Sequence, residues 1–279
     1  MRTDTTTETV TAQGVDVPAL GFGTARMTGD ECRRAVETAL SAGYRHVDTA
    51  QMYDNEDAVG DALEASDVPR EDVFVVTKVN TSNLAYDDVL ESTRASLDRL
   101  GVDAVDLLLI HAPRDHTPLE ETLGAMNELQ EEGAVDHIGV SNFSVEQLER
   151  ARERSETPIV TNQVKYHPYH RQDDLLSYCV DEEILLTAYS PLAEGAVVGD
   201  ERLEEIGDRY DKSAAQVALR WLVQQPSVAA IPKAASREHI EANADVFDFE
   251  LSAAEMRTVF ELTERSLASK IANRIGLTK

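Results

Sequence analysis

Two patterns of apolar residues alternate along the chain. Short uninterrupted apolar runs, of the kind found in strands buried on both faces, are each followed by a stretch with apolar residues at helical spacing. After a hairpin signal in ETVTAQGVDV, PALGFG leads to a helical run over 30–42 that stops at Gly43. RHVDTA leads to 56–65, and VFVVTKV to 87–100 with a stop at Gly101. VDLLLIHA leads to 118–132 before Gly133, VDHIGVSN to 144–154, and PIVTNQV to 172–182. ILLTAYS leads to one long helix over 201–224, VAAIPKA to 237–244, and a last helix begins after Ser252.

Eight strand-then-helix units imply a parallel sheet. Eight units in about 250 residues predict an α/β fold, a closed (β/α)8 TIM barrel with a short N-terminal β-hairpin and an extra C-terminal helix. The chain reads as one domain over 1–279, since no linker or low-complexity block interrupts it. A doubly wound sheet would want G-x-G-x-x-G after its first strand, and GFGTAR lacks the third Gly.

Charge changes the picture most. Asp plus Glu number 52 against 26 basic residues, a formal net of −26 spread along the whole chain. Such a surface repels nucleic acid and anionic membranes, and its self-repulsion is relieved by salt. It points to a cytoplasmic protein of a salt-adapted organism. The two cysteines, Cys32 and Cys179, lie in helical runs and are too few for a disulfide scaffold. No apolar leader opens MRTDTTTETV, and no run is long enough for a membrane span. Neither a nucleic-acid nor a membrane partner is expected, and a monomer is.

In a barrel the catalytic groups sit at the C-terminal strand ends. Those ends read Asp48 with Tyr53 in the next loop, Lys78, His111, Ser141-Asn142, Asn162-Gln163, Tyr189-Ser190 and Lys233. Asp48, Tyr53, Lys78 and His111 suit carbonyl reduction. A free tyrosine, with a pKa of about 10, is a reluctant proton donor. A nearby ammonium stabilises its phenolate, and a carboxylate anchors the ammonium. A neutral imidazole then orients the carbonyl. An alternative is a metal-dependent barrel hydrolase, its site begun by the H-x-D of His46 and Asp48 with His111. The remaining strand ends, however, offer poor zinc ligands, so no metal is expected.

Beyond these strand ends, the chain resembles the aldo-keto reductase family in GFGTA, DTAQMYDNEDAVG, TKV, LLIHAP, GVSNFS, NQVKYHPY, AYSPLAEG and IPKAASREHIEANADVFDFELS, in order and nearly end to end. The resemblance, to members of prokaryotic type, implies a barrel oxidoreductase that reduces small aldehydes, ketones or dicarbonyls with NADPH, NADH being possible. It places the tetrad on Asp48, Tyr53, Lys78 and His111. It also implies that Ser141, Asn142 and Gln163 hold the nicotinamide carboxamide and that Tyr189 stacks on its ring. Ser190 and Leu192 would line the diphosphate path, Lys233 and Arg237 would meet the adenosine phosphate, and Asn243 the adenine. A catalytically weak nicotinamide-binding sensor of the same fold is the alternative within the resemblance.

The departures bear on substrate. Ala25, Asn80 and Ala112 stand where members of the family often have Trp, so the pocket is expected to be wider, or refilled by Met27, Met52 or Tyr86. His239 stands where the family commonly has an Arg, with Arg237 nearby as a substitute. Arg26 and Arg114 near the mouth are candidates for attracting an anionic substrate. The few residues after 264 are too short for a long closing tail, and an open mouth is expected.

Overall fold

The computed structural model describes residues 8–114 and 116–262. Its chain opens with the hairpin, β1 (Thr9–Ala12) paired antiparallel with β2 (Val15–Pro18). The two-residue turn takes Gln13 and Gly14 to φ 50 and 79, the left-handed pair that matches the twist of tight hairpins.

Eight parallel strands follow in the order β3 (Phe22–Gly23), β4 (His46–Asp48), β5 (Phe74–Val79), β6 (Val105–Ile110), β7 (Val135–Ser141), β8 (Ile159–Lys165), β9 (Leu185–Tyr189) and β10 (Val228–Ala230). The sheet closes on itself through a parallel bridge between Leu20 and Ala230. Gly21 N–H donates to Ala230 O and Ala230 N–H to Ala19 O, both at 2.8 Å. Of PALGFG only Phe22–Gly23 is regular strand, the rest of this closing edge being single bonds.

The strands divide their side chains by alternation. Leu107 and Leu109 of β6 join Val76, Val160, Leu185 and Ala229 inside the barrel. Leu108 and Ile110 face the helices. Ala12 and Val17 of the hairpin pack onto the interior cluster and plug that end of the barrel. Two residues beyond Val76 on the same inward face comes Lys78, at the opposite end from the plug.

The outer ring comprises α1 (Gly29–Ser41), α2 (Glu56–Glu64), α3 (Tyr86–Leu100), α4 (Leu119–Glu131), α5 (Val145–Arg154), α6 (Asp173–Asp181), α7 (Glu201–Gly207), α8 (Ala214–Val223) and α9 (Arg237–Ala244), then a helix over 253–262. In α1 the buried residues are Cys32, Ala35, Val36, Ala39 and Leu40, one stripe at helical spacing facing the sheet. Helix α3 stops where Gly101 turns left-handed at φ 64, a conformation that costs a glycine little.

The single helix expected over 201–224 is two. Gly207 lies under the Lys212 carbonyl so closely that a Cβ would sit 2.1 Å from that oxygen, and Asp211 is left-handed at φ 58. Helix α8 then starts afresh on a capping box, in which Ser213 and Gln216 bond each other's backbone N–H groups. The S-A-A-Q spelling carries that signal in the sequence; the apolar periodicity on either side hides it. Among the described residues no helix is long and apolar enough to cross a membrane. The expectation about a short tail concerns residues outside the described range.

Candidate active site

Asp48 ends β4 and Lys78 is the penultimate residue of β5, and parallel pairing carries both to one end of the barrel. Lys78 Nζ donates to Asp48 Oδ1 at 2.6 Å and to Thr49 O at 2.7 Å, with both side chains at most 2% exposed. Burial works against the ammonium's charge. Asp48, and after it Tyr53, outweigh that penalty and hold the Lys78 pKa above its ordinary value. The other oxygen of Asp48 accepts from Gln163 Nε2 at 2.7 Å, across the barrel from β8.

Tyr53 is carried on a one-turn 3-10 helix, Gln51–Tyr53. Lys78 Nζ lies 5.0 Å from the centre of its ring, and the His111 ring meets it edge-on at 5.7 Å. The structure therefore brings all four proposed tetrad residues together. Burial, then the Lys78 charge, lowers the His111 pKa from 6.5 to about 4. The ring is neutral near pH 7, and its Nδ1 is enclosed without a hydrogen-bond partner among the described residues.

The Tyr53 turn is stapled by residues to which the sequence reading assigned no role. Asn55, 1% exposed, donates to Thr24 O at 3.0 Å and Met27 O at 2.9 Å. It accepts from Thr49 Oγ1 at 2.7 Å. Gln51 Oε1 accepts from the backbone N–H of Asn80 at 2.8 Å and from Asn83 Nδ2 at 3.2 Å. These bonds fix the turn to the loops after β3, β4 and β5. Their only signal in the sequence is the density of amides in QMYDNE. Glu56, next in line, is buried against Thr77 and Arg99.

A second cluster adjoins the tetrad. Ser141 Oγ donates to Gln163 O at 2.8 Å. Asn142, left-handed at φ 63, donates from Nδ2 to His111 O and to Ser141 Oγ, each at 3.0 Å. Its Oδ1 accepts from Tyr189 OH at 3.0 Å. Ser190 is left-handed at φ 50, and Leu192 is partly buried against the core. Lys233 is exposed just past β10, and Asn243 is buried on α9. Arg237 is exposed at the start of α9 and paired with Glu241 at 3.2 Å.

At the mouth Ala25, Asn80 and Ala112 are partly buried, and Met52 is 49% exposed. Met27 and Tyr86, expected as pocket fillers, are elsewhere. Met27 is 1% exposed in the outer core, and Tyr86 bonds Glu128 between α3 and α4. Arg26 is paired with Glu194 at 3.3 Å, and Arg114 donates to Thr81 Oγ1 at 3.2 Å. The alternative metal grouping is not assembled. His46 Nδ1 lies 3.2 Å from Pro18 O, and both oxygens of Asp48 are taken. Among the described residues no group of three or more His, Cys, Asp or Glu side chains is disposed to hold a metal ion.

His46 is fully enclosed with Nε2 unpartnered among the described residues, and burial lowers its pKa. His46 and His111 stay neutral in the fold where the unfolded chain takes up protons. Stability is thus present above pH 6.5 and lost as pH falls toward about 4. The urea midpoint is expected to drop over that window, less steeply in His46→Met; equal slopes would remove His46 from the effect.

Comparison with known proteins places the chain in a family. A Bacillus subtilis protein named glyoxal reductase is 39% identical over 252 residues, covering 90% of this chain and 91% of that one. A Trypanosoma cruzi protein named 9,11-endoperoxide prostaglandin H2 reductase is 40% identical over 254 residues, covering 90% and 89%. A Bombyx mori aldo-keto reductase solved in complex with NADP superposes with a TM-score of 0.85 at 32% identity, covering 92% of each chain. The model of the Aldo/keto reductase family matches residues 19–264. The chain is an oxidoreductase that belongs to the aldo/keto reductase family.

Proposed function

We propose that the protein reduces small aldehydes, ketones and dicarbonyls to alcohols with NADPH, NADH serving as a second cofactor. The observation that carries this reading is the Lys78 ammonium held between Asp48 and the Tyr53 ring beside a neutral His111. The bound nicotinamide supplies the hydride.

His111 hydrogen-bonds the carbonyl oxygen and orients it. Its enclosed Nδ1 leaves Nε2 to meet the substrate. As negative charge develops on that oxygen, Tyr53 gives up its phenolic proton to it. Lys78 stabilises the phenolate left behind, and Asp48 keeps the ammonium in place. Ser141, Asn142 and Gln163 are the groups that would hold the carboxamide. The fit rests on the Gln163 amide, whose Nε2 is spent on Asp48 Oδ2 at 2.7 Å, leaving the carbonyl half for a ligand. Tyr189 would stack on the ring, Ser190 and Leu192 would line the diphosphate path, and Asn243 would meet the adenine. Lys233 would favour the extra phosphate of NADPH, and Arg237 would add to it by exchanging Glu241 for the phosphate.

Ala25, Met52, Asn80 and Ala112 leave a wide, partly polar pocket that suits small hydrated carbonyls better than bulky aromatic ones. The test is oxidation of NADPH and NADH, followed by absorbance, with a panel from methylglyoxal through sugars to benzaldehydes. The reading predicts turnover that favours the small polar members and vanishes in Tyr53→Phe. Tight nucleotide binding with no turnover on any member would instead mark a sensor.

We infer that the acid excess, 52 against 26, is a surface adaptation to salt in a cytoplasmic protein. Screening over a few ångströms at molar salt relieves the self-repulsion. Thermal stability is expected to rise from dilute buffer to molar KCl, and a flat or falling profile would contradict this.

A further inference from the structure

Asp48 has two acceptor oxygens and two donors, and they belong to different parts of the proposed machinery. Oδ1 faces Lys78 Nζ, whereas Oδ2 faces Gln163 Nε2. A carboxylate paired with an ammonium only accepts hydrogen bonds. Gln163 must therefore turn its NH2 group toward Asp48. That fixes which half of the amide remains free, and it is the carbonyl Oε1. Gln163 is 2% exposed, and its backbone is held by Ser141 Oγ at 2.8 Å and Asn142 N–H at 2.9 Å, so the side chain has no alternative register.

We propose that Asp48 is a positioning residue for the nicotinamide, acting through Gln163, in addition to anchoring Lys78. By claiming the amide NH2 it makes Gln163 present an acceptor, so the site selects a ligand with an N–H2 donor there. This inference rests on the cofactor reading above and adds to it a direction of hydrogen bonding. It also ties two properties to one carboxylate: the charge of the Tyr53–Lys78 pair and the discrimination between pyridine carboxamides and pyridine ketones.

The test compares two nucleotides by isothermal titration calorimetry, without substrate. One is NADPH; the other is its reduced acetylpyridine analogue, in which a methyl ketone replaces the carboxamide and no N–H2 is offered. The parent is expected to bind the analogue about tenfold more weakly, the value of one hydrogen bond. In Asp48→Asn, Lys78 keeps the side-chain oxygen and the new NH2 faces Gln163. The Gln163 amide turns over and donates outward, and the two nucleotides bind within about twofold of each other. Gln163→Met keeps the length but has no amide oxygen, and it too is expected to lose the preference.

A tenfold preference that survives in Asp48→Asn overturns the positioning role. So does a preference that survives in Gln163→Met, which remains decisive if Asp48→Asn does not fold. A parent that binds both nucleotides equally also overturns it. A folded parent that binds neither removes the cofactor reading instead.

Discussion

Tyr53→Phe is expected to lower kcat by about a hundredfold to ten-thousandfold, the contribution of a positioned general acid, with cofactor affinity unchanged. Phe keeps the ring that meets His111 edge-on at 5.7 Å and lies 5.0 Å from Lys78 Nζ. The 3-10 turn that carries the residue is held by Gln51 and Asn55, not by the phenolic oxygen. The change therefore deletes the proposed proton donor and little else. Stopped-flow and steady-state rates with saturating nucleotide would show it. Parent-like turnover would take Tyr53 out of the mechanism.

The second large effect falls on stability. Lys78→Met removes the partner of a carboxylate that is 2% exposed. Breaking a buried pair from one side costs about 3–5 kcal/mol, because the remaining charge is left uncompensated. Gln163 alone does not replace an ammonium. In the double variant Asp48→Asn/Lys78→Met neither position carries a charge, so much of that stability returns. Activity does not return, since the phenolate has no cation beside it. Urea unfolding and turnover measured on both variants separate the two roles. A double variant as unstable as the single one would show that the cost is not one of unpaired charge.

The barrel was legible because its strands are buried on both faces and its helices on one. VFVVTKV and VDLLLIHA have no other plausible setting, and the stripe of Cys32, Val36, Ala39 and Leu40 marks α1 as unambiguously. The four proposed tetrad positions, three at strand ends and Tyr53 in the loop after one, could be picked out for a different reason. Parallel strands end at a common rim, so polar residues that close apolar runs are gathered without any sequence proximity. What lay beyond the reading are contacts set by loop paths and by pairing across the barrel. Gln163 reaches Asp48 over 115 positions, and no local pattern encodes that. Asn55 and Gln51 looked like ordinary loop amides, although each has a specific backbone to hold. Met27 and Tyr86 were misplaced because sequence distance from Tyr53 and Lys78 says nothing about which side of a loop a side chain takes.

Hydride transfer to a carbonyl carbon is the central claim, and isotope transfer tests it most directly. The protein would be incubated with methylglyoxal and NADPH carrying deuterium at both C4 positions of the dihydronicotinamide, and the product alcohol analysed by mass spectrometry and NMR. The account predicts one deuterium on the new carbinol carbon and none there when the label is in the solvent. An alcohol that carries solvent deuterium at that carbon, or none from the nucleotide, would contradict it.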